Sequence, residues 1–175
     1  MKTLEMDGKK YKLVEIEEES KSCKTGYERN YNEIYYLQST KGSVVSFLDR
    51  CTPSDNQSFN AANYYTDKQL ALDNARADAL MRNLRRFSAE GRKQKIDWGN
   101  YGFYKWFIYF SYPSKELETV HYIRERECGS ILFDTQELAE SAIEKYHDEL
   151  VWYFTEYQDT AEFRDAADQE QEAEG

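Results

Sequence analysis

Four carboxylates, Glu137, Glu140, Glu144 and Asp148, recur at spacings of three and four residues, which places them along one side of a helix. Like charges at this spacing repel, and a chain selected only for stability more often alternates Glu with Lys. Such a row can stand in for the phosphates of DNA and occupy a basic groove on another protein, an attraction that salt screens. It can equally be a solvated face that keeps an acidic chain in solution. A second constellation has the opposite sign. Between Arg76 and Lys95 seven basic residues face only Asp78 and Glu90, a local net charge of +5 within a chain of net −10. Arg82, Arg85, Arg86, Arg92 and Lys93 could meet phosphates there, with Trp98 or Tyr101 stacking on bases. The negative field of the remaining chain opposes binding to bare nucleic acid. The two faces could also meet across a homodimer.

Catalytic chemistry has little to work with. There are two histidines, His121 and His147, and no glycine-rich phosphate loop, nucleophile elbow or HExxH pattern. His147 falls between an apolar stripe and the acidic row, where a boundary histidine is expected. His121, Glu127 and Cys128 could be brought together, but their spacing is not that of a metal site. No enzyme activity, metal or cofactor is expected. Cys23, Cys51 and Cys128 are odd in number and form no CxxC, so a reduced, cytoplasmic chain is expected. No apolar run is long enough for a membrane span.

The elements that must carry these groups are legible from periodicity. Strands are expected at Lys9–Glu17 (with a phase slip at Leu13–Val14), Asn32–Gln38, Ser43–Leu48, Asn63–Tyr65, Tyr101–Tyr112, Leu117–Arg126 and Ser130–Phe133. Tyr101–Tyr112, apolar on both faces, is expected to be central. Ser20–Asn30 and Thr52–Asn60 read as loops. Leu70, Ala77, Leu80, Met81, Leu84 and Phe87 share one face of a helix over about 67–89, which Gly91 should stop. Leu138, Ala139, Ala142, Ile143, Tyr146, Leu150 and Tyr153 do the same over about 135–154.

Both helices follow a similar stretch. Setting Tyr65 on Phe133 aligns Leu70 with Leu138 and Ala71 with Ala139. Thr66 with Gln69, and Asp134 with Glu137, read as capping boxes. The expected fold is therefore α+β, with antiparallel sheets and two strand-rich modules, each closed by one amphipathic helix. Residues 1–90 would form the first module and 98–157 the second. Residues 158–175 would be an acidic, mobile tail, since from Glu156 onward eight carboxylates face Arg164 alone. Most of the tyrosines in the strands should be core or rim, and an exposed cluster of them would mark a protein interface.

The segment from Trp98 through Asn100, the YKWFIYFSY strand and GSILFDTQELA (129–139) resembles small accessory proteins of phages and prophages of Gram-positive bacteria. ANYYTDKQLA (62–71) resembles their glycine–asparagine–aromatic partner motif, with Ala62 in place of Gly and Gln69 in place of Glu. The likeness spans roughly 60–157 and carries no catalytic residue. It implies a mobile-element origin in a bacterial host cell. It also implies a non-enzymatic inhibitor of a host defence nuclease, a CRISPR effector or restriction enzyme with a basic groove.

Overall fold

A computed structural model describes residues 3–6, 9–12, 25–122 and 129–160. Among these residues the fold is α+β, with three helices and antiparallel two-stranded sheets. Strands β1 (Thr3–Met6) and β2 (Lys9–Lys12) pair as one hairpin. The sequence indicates only the second of these, and the phase slip at Leu13–Val14 lies outside the described residues.

Strands β3 (Ile34–Gln38) and β4 (Val44–Leu48) form the expected second hairpin, with Ile34 opposite Leu48 and Gln38 opposite Val44. Its turn closes where Gly42, at φ +84°, donates its N–H to the Ser39 carbonyl at 2.9 Å. Thr52–Asn60, expected as a loop, contains helix α1 (Pro53–Asn60). Pro, Ser, Asp and Asn favour turns, but the same residues suit a helix start. Thr52 and Asp55 make a reciprocal capping box, and Pro53 fills the first turn where its missing N–H has no cost.

Helix α2 (Lys68–Gly91) and helix α3 (Gln136–Thr155) match the two amphipathic stretches. Their caps fall one residue later than the aligned boxes suggest. Asp67 accepts from the Leu70 N–H at 2.6 Å, and Thr135 accepts from the Leu138 N–H at 3.2 Å. Asp and Thr cap as well as Thr and Asp do, so the spacing could not separate adjacent candidates. The displaced Asp134 instead accepts from the backbone N–H groups of Lys93 and Gln94, at 2.8 and 3.2 Å. It thereby fastens the chain leaving α2 to the start of α3. Gly91, the expected stop signal, is the last residue of α2. A Cβ there would lie 2.3 Å from Leu138 Cδ1, so the glycine leaves room for that leucine side chain.

Strands β5 (Lys105–Ser111) and β6 (Glu116–Tyr122) form the third hairpin, Lys105 opposite Tyr122 and Ser111 opposite Glu116. β5 starts four residues later than expected because Asn100 holds a turn, accepting from the N–H groups of Gly102 and Phe103. The expected end of β6, residues 123–126, lies outside the described residues. The short strands before α2 and α3 reduce to single antiparallel bridges, Tyr65 to Tyr36 and Phe133 to Trp106. β3 and β5 are thus each flanked by a full partner on one side and by one bridging aromatic on the other.

The two bridging aromatics seed two cores. Tyr65, Leu70 and Ala71 pack with Tyr27, Tyr36 and Val44. Phe133 packs with Leu80 and Leu84 of α2 and with Ala139, Ala142 and Leu150 of α3. Helix α2 therefore contributes its first turns to one core and its later turns to the other. Alanines at the contact allow the backbones to close up, and the large side chains fill the space beyond. Phe133 is 1% exposed, so Phe133→Ala should destabilise the protein by about 3–5 kcal/mol. Urea unfolding, with the midpoint falling at unchanged slope, measures it.

Candidate functional site

The four carboxylates singled out by spacing all lie on α3, and all are exposed. Glu140 accepts from the Gln136 amide at 2.8 Å, and Asp148 lies 3.1 Å from His147 Nδ1. No lysine or arginine among the described residues pairs with Glu137, Glu140, Glu144 or Asp148. Glu149, beside them in sequence, behaves differently. It takes Arg76 in a two-pronged ion pair at 2.8 and 3.2 Å, with the guanidinium 3.8 Å above the Trp152 ring. The row is not straight. Tyr146 leaves helical geometry at φ −119°, ψ 24°, and kinks α3 between Glu144 and Asp148. Tyr146 packs edge-on against Phe87 of α2, and the Lys145 ammonium lies 5.0 Å from that ring. The regular i,i+4 ladder read from sequence is therefore broken once, where an aromatic contact to α2 is better served by a bent backbone.

The basic residues are dispersed rather than gathered. Arg82, Arg85, Arg86, Arg92 and Lys93 are all exposed. Arg82 lies 4.0 Å from Asp78, the i,i+4 partner that the spacing indicates. Arg86 donates to Asn83 at 3.2 Å. Arg92 donates to Ser88 Oγ at 3.1 Å, and the Ser88 hydroxyl in turn donates to the Leu132 carbonyl. Of the five, Arg85 and Arg92 line a common cavity with Trp98, while Arg82, Arg86 and Lys93 do not.

His147 is more exposed than the boundary place expected of it, and it sits on the acidic side against Asp148. His121 is also exposed and lies against the rings of Tyr104 and Trp106, at 4.4 and 4.8 Å between centroids. Glu127 and Cys128 lie outside the described residues. Among the described residues no three His, Cys, Asp or Glu side chains converge as a metal site requires. No helix among them is long and apolar enough to cross a membrane.

The tyrosines divide as their strands dictate. Tyr35, Tyr64 and Tyr65 are buried, whereas Tyr31, Tyr101, Tyr104 and Tyr112 are exposed. Ile34, Phe47 and Leu48 of the β3–β4 hairpin are exposed as well.

Sequence reasoning missed the densest polar cluster. Asp49 is wholly buried and receives a bidentate grip from Arg29, at 2.6 and 3.0 Å. It also accepts from the Cys51 N–H at 2.7 Å and the Tyr64 hydroxyl at 3.2 Å. Alongside, Asp55 accepts from the Tyr35 hydroxyl at 2.9 Å, and the Tyr35 and Tyr64 rings stack at 4.2 Å. Cys51 reaches its place at φ +55°. Arg29 and Asp49, like Tyr35 and Asp55, are 20 residues apart and share no periodicity. Only the Asp-x-Cys-Thr-Pro-x-Asp stretch hinted at a turn. Every oxygen of both carboxylates is occupied, so the cluster clamps β4 and α1 to the loop before β3.

This clamp sets a pH response. The Arg29 guanidinium and the hydrogen bonds from Cys51 and Tyr64 pull the Asp49 carboxyl down from 3.8 to about 2. The stabilisation is complete above the unfolded value and is lost as pH falls through the folded one. The thermal midpoint of the wild-type protein should therefore drop between pH 4 and pH 2 more steeply than that of Asp49→Asn, which carries no titrating group there. Parallel slopes for the two proteins would remove Asp49 as the cause. A second change probes the tie between the helices. Asp134→Ala leaves the Lys93 and Gln94 N–H groups without their acceptor and should cost about 1–3 kcal/mol in urea unfolding.

Compared with protein-family models, with curated proteins and with solved structures, the chain matches none.

Proposed function

We propose that this protein is a non-enzymatic binding protein that inhibits a host defence nuclease, such as a CRISPR effector or restriction enzyme. It presents the outer side of α3 as a substitute for nucleic acid. The observation that carries this reading is the state of Glu137, Glu140, Glu144 and Asp148: exposed, on one helix, and without a lysine or arginine partner among the described residues. The neighbouring Glu149 is neutralised by Arg76 at hydrogen-bond distance, so the chain does supply cations to α3 where pairing serves its own packing.

The mechanism follows from electrostatics. A groove built for phosphates holds arginines and lysines at a spacing suited to a helical backbone of negative charge. A folded acidic helix enters that groove at lower ordering cost than a flexible acidic peptide, because its charges are already positioned. Long-range attraction raises the encounter rate, and salt removes it.

The test pairs the wild-type chain with the triple variant Glu140→Lys, Glu144→Lys, Asp148→Lys. The wild-type chain, immobilised at low salt, is expected to retain a nuclease that duplex DNA displaces and that high salt releases. The triple variant is expected to lose at least ten-fold in affinity for that protein. Equal binding by the two chains, or a complex that DNA leaves intact, rules out nucleic-acid mimicry by α3.

A further inference from the structure

The last turns of α2, the chain leaving it and residues 130–132 border an open cavity of about 330 Å³. That volume is at the lower end of what small-molecule sites occupy. Its lining combines two chemistries. Arg85 and Ser88 stand at i and i+3 on the last turns of α2, and Arg92, the residue that follows the helix with extended backbone, joins them in the lining. Trp98, Ile96 and Ile131 supply the apolar wall.

Neither Arg85 nor Arg92 has a carboxylate within ion-pair distance among the described residues, whereas Arg29, Arg76 and Arg82 each have one. In a chain of net −10, two unneutralised guanidiniums facing one cavity are against the trend. Arg92 is also oriented. Its guanidinium donates to Ser88 Oγ, and Ser88 is 1% exposed and anchored on the Leu132 carbonyl. A guanidinium held this way keeps its remaining N–H groups in a fixed fork, the geometry that grips a phosphate or carboxylate with two parallel bonds. The indole of Trp98, with the Lys105 ammonium 5.5 Å from its ring centre, lines the same cavity, and base-on-aromatic stacking tolerates any base.

We infer that this cavity binds a nucleoside monophosphate unit, with the phosphate on Arg85 and Arg92 and the base against Trp98 and the isoleucines. The size excludes a duplex, and the negative field of the chain disfavours an extended polyanion but not one dianionic group in a local basic pocket. The inference does not depend on α3 as a docking face, and either can fail without the other.

Calorimetric titration of the full chain tests it, with AMP, adenosine and inorganic phosphate as separate probes at low salt. AMP is expected to bind, with adenosine and phosphate each at least ten-fold weaker, because each satisfies half of the lining. Arg85→Gln and Arg92→Gln are each expected to weaken AMP by about ten-fold or more, the order of one charge-assisted contact. Arg86→Gln removes the same charge from the same helix outside the cavity and is expected to change AMP affinity less than two-fold. Absence of AMP binding overturns the inference. So does an equal loss from Arg86→Gln, which would reduce the effect to general charge. A short single-stranded oligonucleotide separates the two sources of the unit. Binding more than ten-fold tighter than AMP, falling steeply with salt, identifies a strand as the source, and binding no tighter than AMP identifies the free nucleotide.

Discussion

Helix α2 has to bury apolar surface at both ends of its length, and the rest of the molecule is arranged around that demand. Its 24 residues extend about 36 Å at the usual rise per residue. Leu70 and Ala71 are covered by Tyr65 and the β3–β4 hairpin, while Leu80 and Leu84 are covered by Phe133 and α3. Each end of this helix therefore takes its cover from a different part of the chain. A two-stranded hairpin is at best marginal in water by itself, so the dependence runs in both directions.

The bridging aromatics make that arrangement specific. Tyr65 and Phe133 each exchange backbone hydrogen bonds with the first strand of a hairpin, and each then feeds a helix cap two residues later. The strand fixes where the aromatic stands, and the cap fixes where the helix begins. Asp134 and Gly91 then set how close α2 and α3 come, the one by tying down the Lys93–Gln94 backbone and the other by giving room to Leu138. Small changes at these positions would act on the angle between the helices and through it on what their outer sides present.

Charge is distributed by the same logic. Where a cation or carboxylate contributes to packing it is paired, as with Arg29 and Asp49 or Arg76 and Glu149. Among the described residues, Glu137, Glu140 and Glu144 on α3 have no lysine or arginine partner, and Arg85 and Arg92 at the end of α2 have no carboxylate partner. A protein stabilised by its surface ion pairs would gain little from them. These unpaired groups are where partners or ligands are to be sought, and they have opposite signs on different elements.

Local periodicity by itself determined the α+β class, the extents of α2 and α3 to within two residues, their buried faces, and the β3–β4 and β5–β6 hairpins. These features depend on side-chain alternation and on the 3.6-residue repeat, which a linear chain records directly. It also placed the acidic row on an exposed helix face, because exposure is the complement of an apolar stripe. Helix α1 was hidden by residues that serve turns and helix starts equally. The cap positions were ambiguous between neighbours, and Gly91 signalled an end without revealing the contact with Leu138. The Arg29–Asp49 clamp, the kink at Tyr146 and the meeting of Arg85 and Arg92 with Trp98 were decided only by tertiary structure. Each joins residues whose separation in sequence is unrelated to their distance in space, and no periodicity encodes which buried acceptor will find which donor.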